Sequence, residues 1–264
     1  MSKFRRNLLT AMNKAEPPIT KDYLTIVALE DGLTAKLSTN ACEYCVDGDG
    51  NWKTLPADTE TETINAGQTL SFRGNLTPKS TNGIGTFVVN KYFNLKGNCM
   101  SLLFGDNAKD CFSLGNQTHT FYKLFYNNTM LVNASELVLQ VTTLSSNCYA
   151  NMFSNCSSLI IAPKLQATVL TEGCYGRMFQ DCISLTKAPD LLATKVAYKS
   201  YGYMFNGCSN LNYIKMLGLG ITSNHTDQWV GGVASNGTFV KNKDATWDVV
   251  GVNGIPEGWT VITE

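Results

Sequence analysis

The sequence predicts an α+β protein with three parts: an N-terminal β-sandwich-like domain, a short solenoid of stacked repeats and a small C-terminal cap. Three observations predict it. Residues 144–165 align with residues 170–191 at a spacing of 26. Residues 22–115 alternate apolar and polar side chains in short runs divided by Gly- and Asn-rich turns. Bulky aromatics gather again at Trp229, Phe239, Trp247 and Trp259, where the repeats have ended. The division expected is 1–21 as a tail, 22–115 as the β-rich domain, 116–220 as the solenoid and 221–264 as the cap.

The first segment, Met1 to Thr20, is basic at its start and ends in Glu16-Pro17-Pro18, a short linker. Its apolar stretch, Leu8 to Met12, is broken by Thr10 and falls short of the ~7–15 residues of a secretory signal. Phe4, Arg5, Arg6, Leu8 and Leu9 are the candidate docking residues of this tail, set to engage other proteins of a larger assembly.

In the β-rich domain, Thr34–Ser38, Thr69–Arg73 and Gly85–Val89 read as strands. Glu43–Val46 and Asn51–Leu55 flank Asp47-Gly48-Asp49-Gly50, a hairpin signal, because Asp-Gly pairs tolerate the positive φ that tight turns need. Asp47, Asp49 and Asn51 imitate the start of a calcium loop, but Trp52 stands where the sharp turn of an EF-hand requires glycine. Cys42 and Cys45 have the spacing of half a zinc or redox site without a second pair nearby.

The repeats carry the strongest signal. Leu144, Cys148, Tyr149, Met152, Phe153, Cys156 and Leu159 recur as Leu170, Cys174, Tyr175, Met178, Phe179, Cys182 and Leu185. A further step of 26 gives Tyr201, Met204, Phe205, Cys208 and Leu211, and Leu124, Phe125 and Leu131 fit upstream at 28. The i, i+4, i+8 spacing of Leu170, Cys174 and Met178 predicts a short amphipathic helix. An extended stretch then leads to Ala188-Pro189, since proline disfavours helix in the residue before it. Stacked units place Cys156, Cys182 and Cys208 one above another as small buried side chains rather than metal ligands, which cluster on one level. The cap then covers the last apolar face.

Composition narrows the function. Lys plus Arg and Asp plus Glu number 21 each, so no net field draws the chain to nucleic acid. No stretch approaches the ~20 apolar residues of a membrane span. His119 and His225 are the only histidines, and neither stands in a nucleophile–base motif. The glycines are scattered in turns, so no phosphate-cradling loop is expected. The expectation is a non-enzymatic protein without metal or cofactor. Recognition would use side chains that vary between units, because the repeated ones are committed to the core. Ile160-Ile161, Thr186-Lys187 and Asn212-Tyr213 occupy equivalent positions, expected on one face of a parallel sheet. Thr186, Lys187, Asn212 and Tyr213 are the candidate ligand-binding residues, with the Lys187 ammonium and the Tyr213 ring foremost, since both engage sugars or polar protein surfaces.

The pattern Met-Phe-x-x-Cys-x-x-Leu-x-x-Ala-Pro-x-Leu, at Met152–Leu165 and Met178–Leu191, resembles the BspA-type leucine-rich repeats of gut Bacteroidetes. The closing Gly254-Ile255-Pro256-Glu257-Gly258-Trp259 and the early Ala28-Leu29-Glu30-Asp31-Gly32 are similar to stretches of the same proteins. The resemblance implies a leucine-rich-repeat solenoid with an adhesive or ligand-binding role and no catalytic residues to carry over. The opening Met-Ser-Lys-Phe-Arg-Arg resembles products of phages and mobile elements. Two expectations follow: a phage virion component of tail-fibre or decoration type that recognises a host surface protein or glycan, or a bacterial cell-surface adhesin. The repeats leave homo-oligomerisation open.

Overall fold

The structure is a computed structural model that describes residues 22–79 and 82–264. The docking tail read at Phe4, Arg5, Arg6, Leu8 and Leu9 lies outside the described residues.

The strands are β1 (Leu24–Ala28), β2 (Ala35–Leu37), β3 (Cys42–Val46), β4 (Lys53–Leu55), β5 (Thr69–Arg73), β6 (Phe87–Val89), β7 (Phe93–Asn98), β8 (Leu131–Val138), β9 (Tyr213–Met216), β10 (Thr238–Lys241) and β11 (Thr260–Thr263). The one α-helix among the described residues is α1 (Ser101–Phe104), which continues as a 3-10 turn over Gly105–Asp110. A six-stranded sheet runs β4-β3-β5-β1-β7-β8, β2 pairs with β6, and β9, β10 and β11 form a separate parallel sheet.

The expected hairpin is present. β3 and β4 pair antiparallel with Tyr44 opposite Lys53, and the turn sets Asp47 at φ 51° and Gly48 at φ 65°. β1 and β5 lie at the middle of the large sheet, buried on both faces, so their polar side chains pair with one another. Thr25 and Ser71 share a hydroxyl–hydroxyl bond of 2.9 Å, and Ser101 Oγ donates to the Phe72 carbonyl at 2.8 Å. β8 joins this sheet parallel to β7, from beyond residue 115. One continuous apolar cluster runs from Leu24 to Trp259.

The repeats correct the expected fold class. The chain is β-rich, not an α+β leucine-rich-repeat solenoid: its sheets do not form a solenoid, and none of the helices expected over 144–153 and 170–179 exists. Each such segment is a train of four-residue turns. Asn147, Asn151 and Asn155 all take the left-handed conformation, at φ 54°, 56° and 62°. In the next unit Gly173, Arg177 and Asp181 do so at 59°, 56° and 58°. A left-handed residue at every fourth position interrupts an α-helix before one turn completes. The backbone hydrogen bonds then alternate. Ala150 N and Met152 N close turns onto the Asn147 and Tyr149 carbonyls, each at 3.2 Å. Tyr149 N, Asn151 N and Phe153 N instead reach across to the Cys174, Gly176 and Met178 carbonyls of the next unit, at 2.9–3.0 Å. Turn bonds within a unit and bridging bonds between units thus satisfy the buried amides without a helix.

This register stacks the aromatic side chains in two buried columns. Phe87, Phe125, Phe153, Phe179 and Phe205 form one, with successive centroids 5.5–5.9 Å apart and rings within 13° of parallel. Phe121, Tyr149, Tyr175 and Tyr201 form the other, at 5.5–6.3 Å. Trp229 ends both, tilted against Tyr201 and Phe205, and its indole N–H donates to the Gly254 carbonyl at 2.8 Å.

Candidate functional site

The parallel pairing that builds the end sheet also brings two predicted residues together. Lys187 bridges Tyr213 on the free side of β9. Asn212 N donates to the Thr186 carbonyl at 3.0 Å, and Ala188 N donates to the Tyr213 carbonyl at 3.0 Å. Parallel neighbours point to the same face, so the Lys187 ammonium stands 4.9 Å from the centre of the Tyr213 ring. Thr186, Lys187 and Asn212 are exposed and Tyr213 is half-buried. Beyond them Lys215 is hydrogen-bonded to Glu264, which raises its ammonium above the ordinary lysine value.

Ile160 and Ile161 are not part of this group. Ile160 N donates to the Val132 carbonyl and Ala134 N to the Ile161 carbonyl, which ties that stretch to β8. Among the described residues no backbone hydrogen bond joins 160–161 to 186–187. The expected continuous face is therefore two patches.

The cysteine column is as buried as its repeat suggests. Cys156, Cys182 and Cys208 are inaccessible, and their thiols donate to the Phe125, Phe153 and Phe179 carbonyls at 3.2, 3.1 and 3.0 Å. Burial pushes all three thiols up, Cys208 to about 12. All nine cysteines are free. Among the described residues no three His, Cys, Asp or Glu side chains are grouped to hold a metal ion. The loop resembling a calcium site spends its ligands internally: Asp47 accepts from Thr69 N at 2.7 Å and from Gln68 Nε2 at 2.8 Å, and Asp49 accepts from Asn51 N at 2.9 Å. His119 packs on Tyr122, while His225 accepts from Thr222 N at 3.1 Å and is lowered by burial.

One cluster was not visible in the sequence. Arg73 at the end of β5 donates to Glu43 at 2.8 Å and to Asp106 at 3.0 Å, and stacks 4.1 Å from the centre of the Trp52 ring. Tyr23 donates to Asp106 at 2.6 Å and meets Trp52 edge-on. Glu43, Arg73, Asn75, Phe104, Asp106 and Asn107 line an open cleft of about 290 Å³ beside it. Its partners come from five separate stretches of chain, so no local motif announces it.

No helix among the described residues is long and apolar enough to cross a membrane. Comparison with protein-family models, with curated proteins and with solved structures gives no match.

Proposed function

We propose that this chain is a non-enzymatic binding protein, a phage virion component of receptor-binding or decoration type that recognises a surface protein or glycan of its host. The observation that carries the reading is the Lys187–Tyr213 pair, a cation and an amphipathic ring held on one exposed face by parallel pairing between successive repeat units. Such a pair meets a polar surface with an ammonium and a ring at fixed spacing, which lowers the ordering cost of binding. The repeated side chains are consumed in the core, leaving the variable positions to do the recognising. The likeness of the opening hexapeptide to phage products favours a virion over a bacterial surface, while the repeat motif by itself favours a cell-surface adhesin. The buried thiols, held protonated by desolvation, are poor nucleophiles, which is in keeping with a non-catalytic role.

The test is the double substitution Lys187→Ala with Tyr213→Ala, assayed for adsorption to gut Bacteroides cells. The expected result is a folded variant whose adsorption falls at least tenfold. Parental adsorption by the variant would remove this pair as the site, and failure of the parent to adsorb to any strain of a broad panel would sink the reading itself.

A further inference from the structure

The left-handed residues fall into three columns, one for each turn of the train. In the first, the positions are His119, Asn147, Gly173 and Lys199; in the third, they are Asn127, Asn155, Asp181, Gly207 and Gly232. Asn, Asp and Gly dominate the third, as expected where short or absent side chains ease the left-handed conformation. The first departs from that rule at His119 and Lys199, and the middle column departs furthest. It holds Lys123, Asn151, Arg177, Tyr203 and Gln228, at φ 58°, 56°, 56°, 56° and 51°, without one glycine. Four of these five have long or bulky side chains in a conformation that costs free energy for them and little for glycine.

The packing of the core does not call for these side chains. Arg177 is exposed and the other four are half-buried. Ala150, Gly176 and Gly202 precede Asn151, Arg177 and Tyr203, so the large side chains stand beside small ones. The column is stacked in register: Lys123 N donates to the Ala150 carbonyl, Asn151 N to Gly176, Arg177 N to Gly202 and Tyr203 N to Asp227, at 2.7–3.1 Å. Arg177 lies 4.2 Å over the Tyr203 ring, and Lys123 lies 4.9 Å over that of Tyr126. The folding of the turns does not account for this row of hydrogen-bonding heads and a tyrosine ring, since glycine would meet the same backbone conformation at lower cost.

We infer that this row is a binding surface for an extended, uncharged glycan chain. This rests on the reading of the protein as a surface binder and places a second recognition face, distinct from Lys187 and Tyr213. The chemistry selects the ligand. The row and its flanks set Lys123, Arg177 and Lys199 among Glu172, Asp181 and Asp227, three cations against three anions, so no field favours an anionic polymer. No exposed leucine, isoleucine, phenylalanine or tryptophan lies in the row, so the contacts it offers a ligand are polar and amphipathic rather than apolar. Amides, a guanidinium, an ammonium and a phenol supply donors and acceptors to hydroxyl groups, and tyrosine rings offer amphipathic faces to sugar rings.

The double substitution Arg177→Gly with Tyr203→Gly tests it in the full chain. Affinity electrophoresis is run against a mannan, a galactan, an α-glucan, a β-glucan and the anionic polygalacturonate, beside thermal unfolding and adsorption to Bacteroides cells. The expected result is retardation of the parent by at least one neutral polysaccharide, a tenfold or greater loss in the variant, and a variant Tm equal to or above the parent's. Equal retardation of both proteins, retardation by polygalacturonate alone, or a Tm lowered by several degrees overturns the proposal. Cell adsorption that is lost in the variant, resists periodate and is abolished by protease treatment of the cells assigns a protein partner to the row and overturns the proposal too. A parent that adsorbs to cells yet is retarded by none of the neutral polysaccharides sinks this inference and leaves the broader reading standing.

Discussion

Replacing Phe179 by alanine removes one ring from the middle of a buried stack. Its centroid lies 5.6 Å from that of Phe153 and 5.9 Å from that of Phe205, with both pairs within 8° of parallel. Loss of a buried phenylalanine side chain costs about 3–5 kcal/mol, and the cost rises with the part of the cavity that cannot collapse. Collapse is resisted here. Phe153 N is tied to the Met178 carbonyl at 2.9 Å and Phe179 N to the Met204 carbonyl at 3.0 Å, so the units above and below are held apart by their own backbones. Two ring–ring contacts, each worth about 0.5–1.5 kcal/mol beyond burial, vanish together. A loss of about 4–5 kcal/mol is therefore expected, in the upper half of that range. Urea unfolding followed by circular dichroism reads it as a lowered midpoint at unchanged slope, which marks a change in stability rather than in the unfolded ensemble. Phe179→Leu keeps most of the volume and should lose much less. A loss below about 1 kcal/mol for Phe179→Ala would refute the reasoning, since a fully buried ring between two fixed rings cannot be removed so cheaply.

The cysteines give a further prediction. Native protein should react with a thiol reagent at Cys111 alone, the one half-exposed cysteine, whereas denatured protein should react at all nine. Burial raises the folded thiols of Cys42, Cys174 and Cys208 to about 12, so the unfolded chain releases these protons first. Their contribution to stability is complete below the ordinary thiol range and falls as pH rises from about 9 toward 12, by up to about 1.4 kcal/mol per pH unit for each thiol. The urea midpoint of the parent should drop through that window more steeply than that of Cys208→Ala, and equal slopes would contradict the burial. Gly97→Ala should destabilise by about 3 kcal/mol or more, because the position has φ 74° and an added Cβ would strike the Tyr23 carbonyl just ahead of β1. A thermal scan showing an unchanged Tm would contradict the close approach of β1 and β7 there.

The fold class was not legible in the sequence, but several of its local parts were. The Asp-Gly hairpin, the strand at Thr69–Arg73, the Phe87–Val89 part of the strand expected at Gly85–Val89 and the burial of Cys156, Cys182 and Cys208 all follow from local chemistry or from the repeat. The spacing of the repeats imitates a helix. Leu144, Cys148 and Met152 recur every fourth residue, and a period of 4 is close to the 3.6 of a helix yet fits a train of four-residue turns better. The discriminating signal was Asn147, Asn151 and Asn155, three asparagines also spaced by four, each at a position that needs positive φ. Lys187 and Tyr213 could be placed side by side because they are one repeat apart. The cleft at Arg73 could not, since its Tyr23–Asp106 bond joins residues 83 positions apart and depends on how β1, β5 and the Ser101–Asp110 segment pack.

The turn train also explains how one molecule can keep a regular interior and a varied exterior. In a helix each amide bonds within its own segment, and neighbouring segments are held together by side chains. Here every second amide of Asn147–Asn155 and of Gly173–Asp181 bonds to the next unit, so much of the cohesion between units is carried by backbone. The inward side chains still need shape, and they repeat as Cys, Tyr, Met and Phe. The outward ones are relieved of holding units together, and they differ at each level: Asn151, Arg177 and Tyr203 along the turns, and Lys187 beside Tyr213 at the strands. Variation on such a surface costs little stability, except where a bulky residue sits at positive φ. Those are the positions where an outward side chain carries the largest backbone cost, and it is there that Lys123, Arg177, Tyr203 and Gln228 stand.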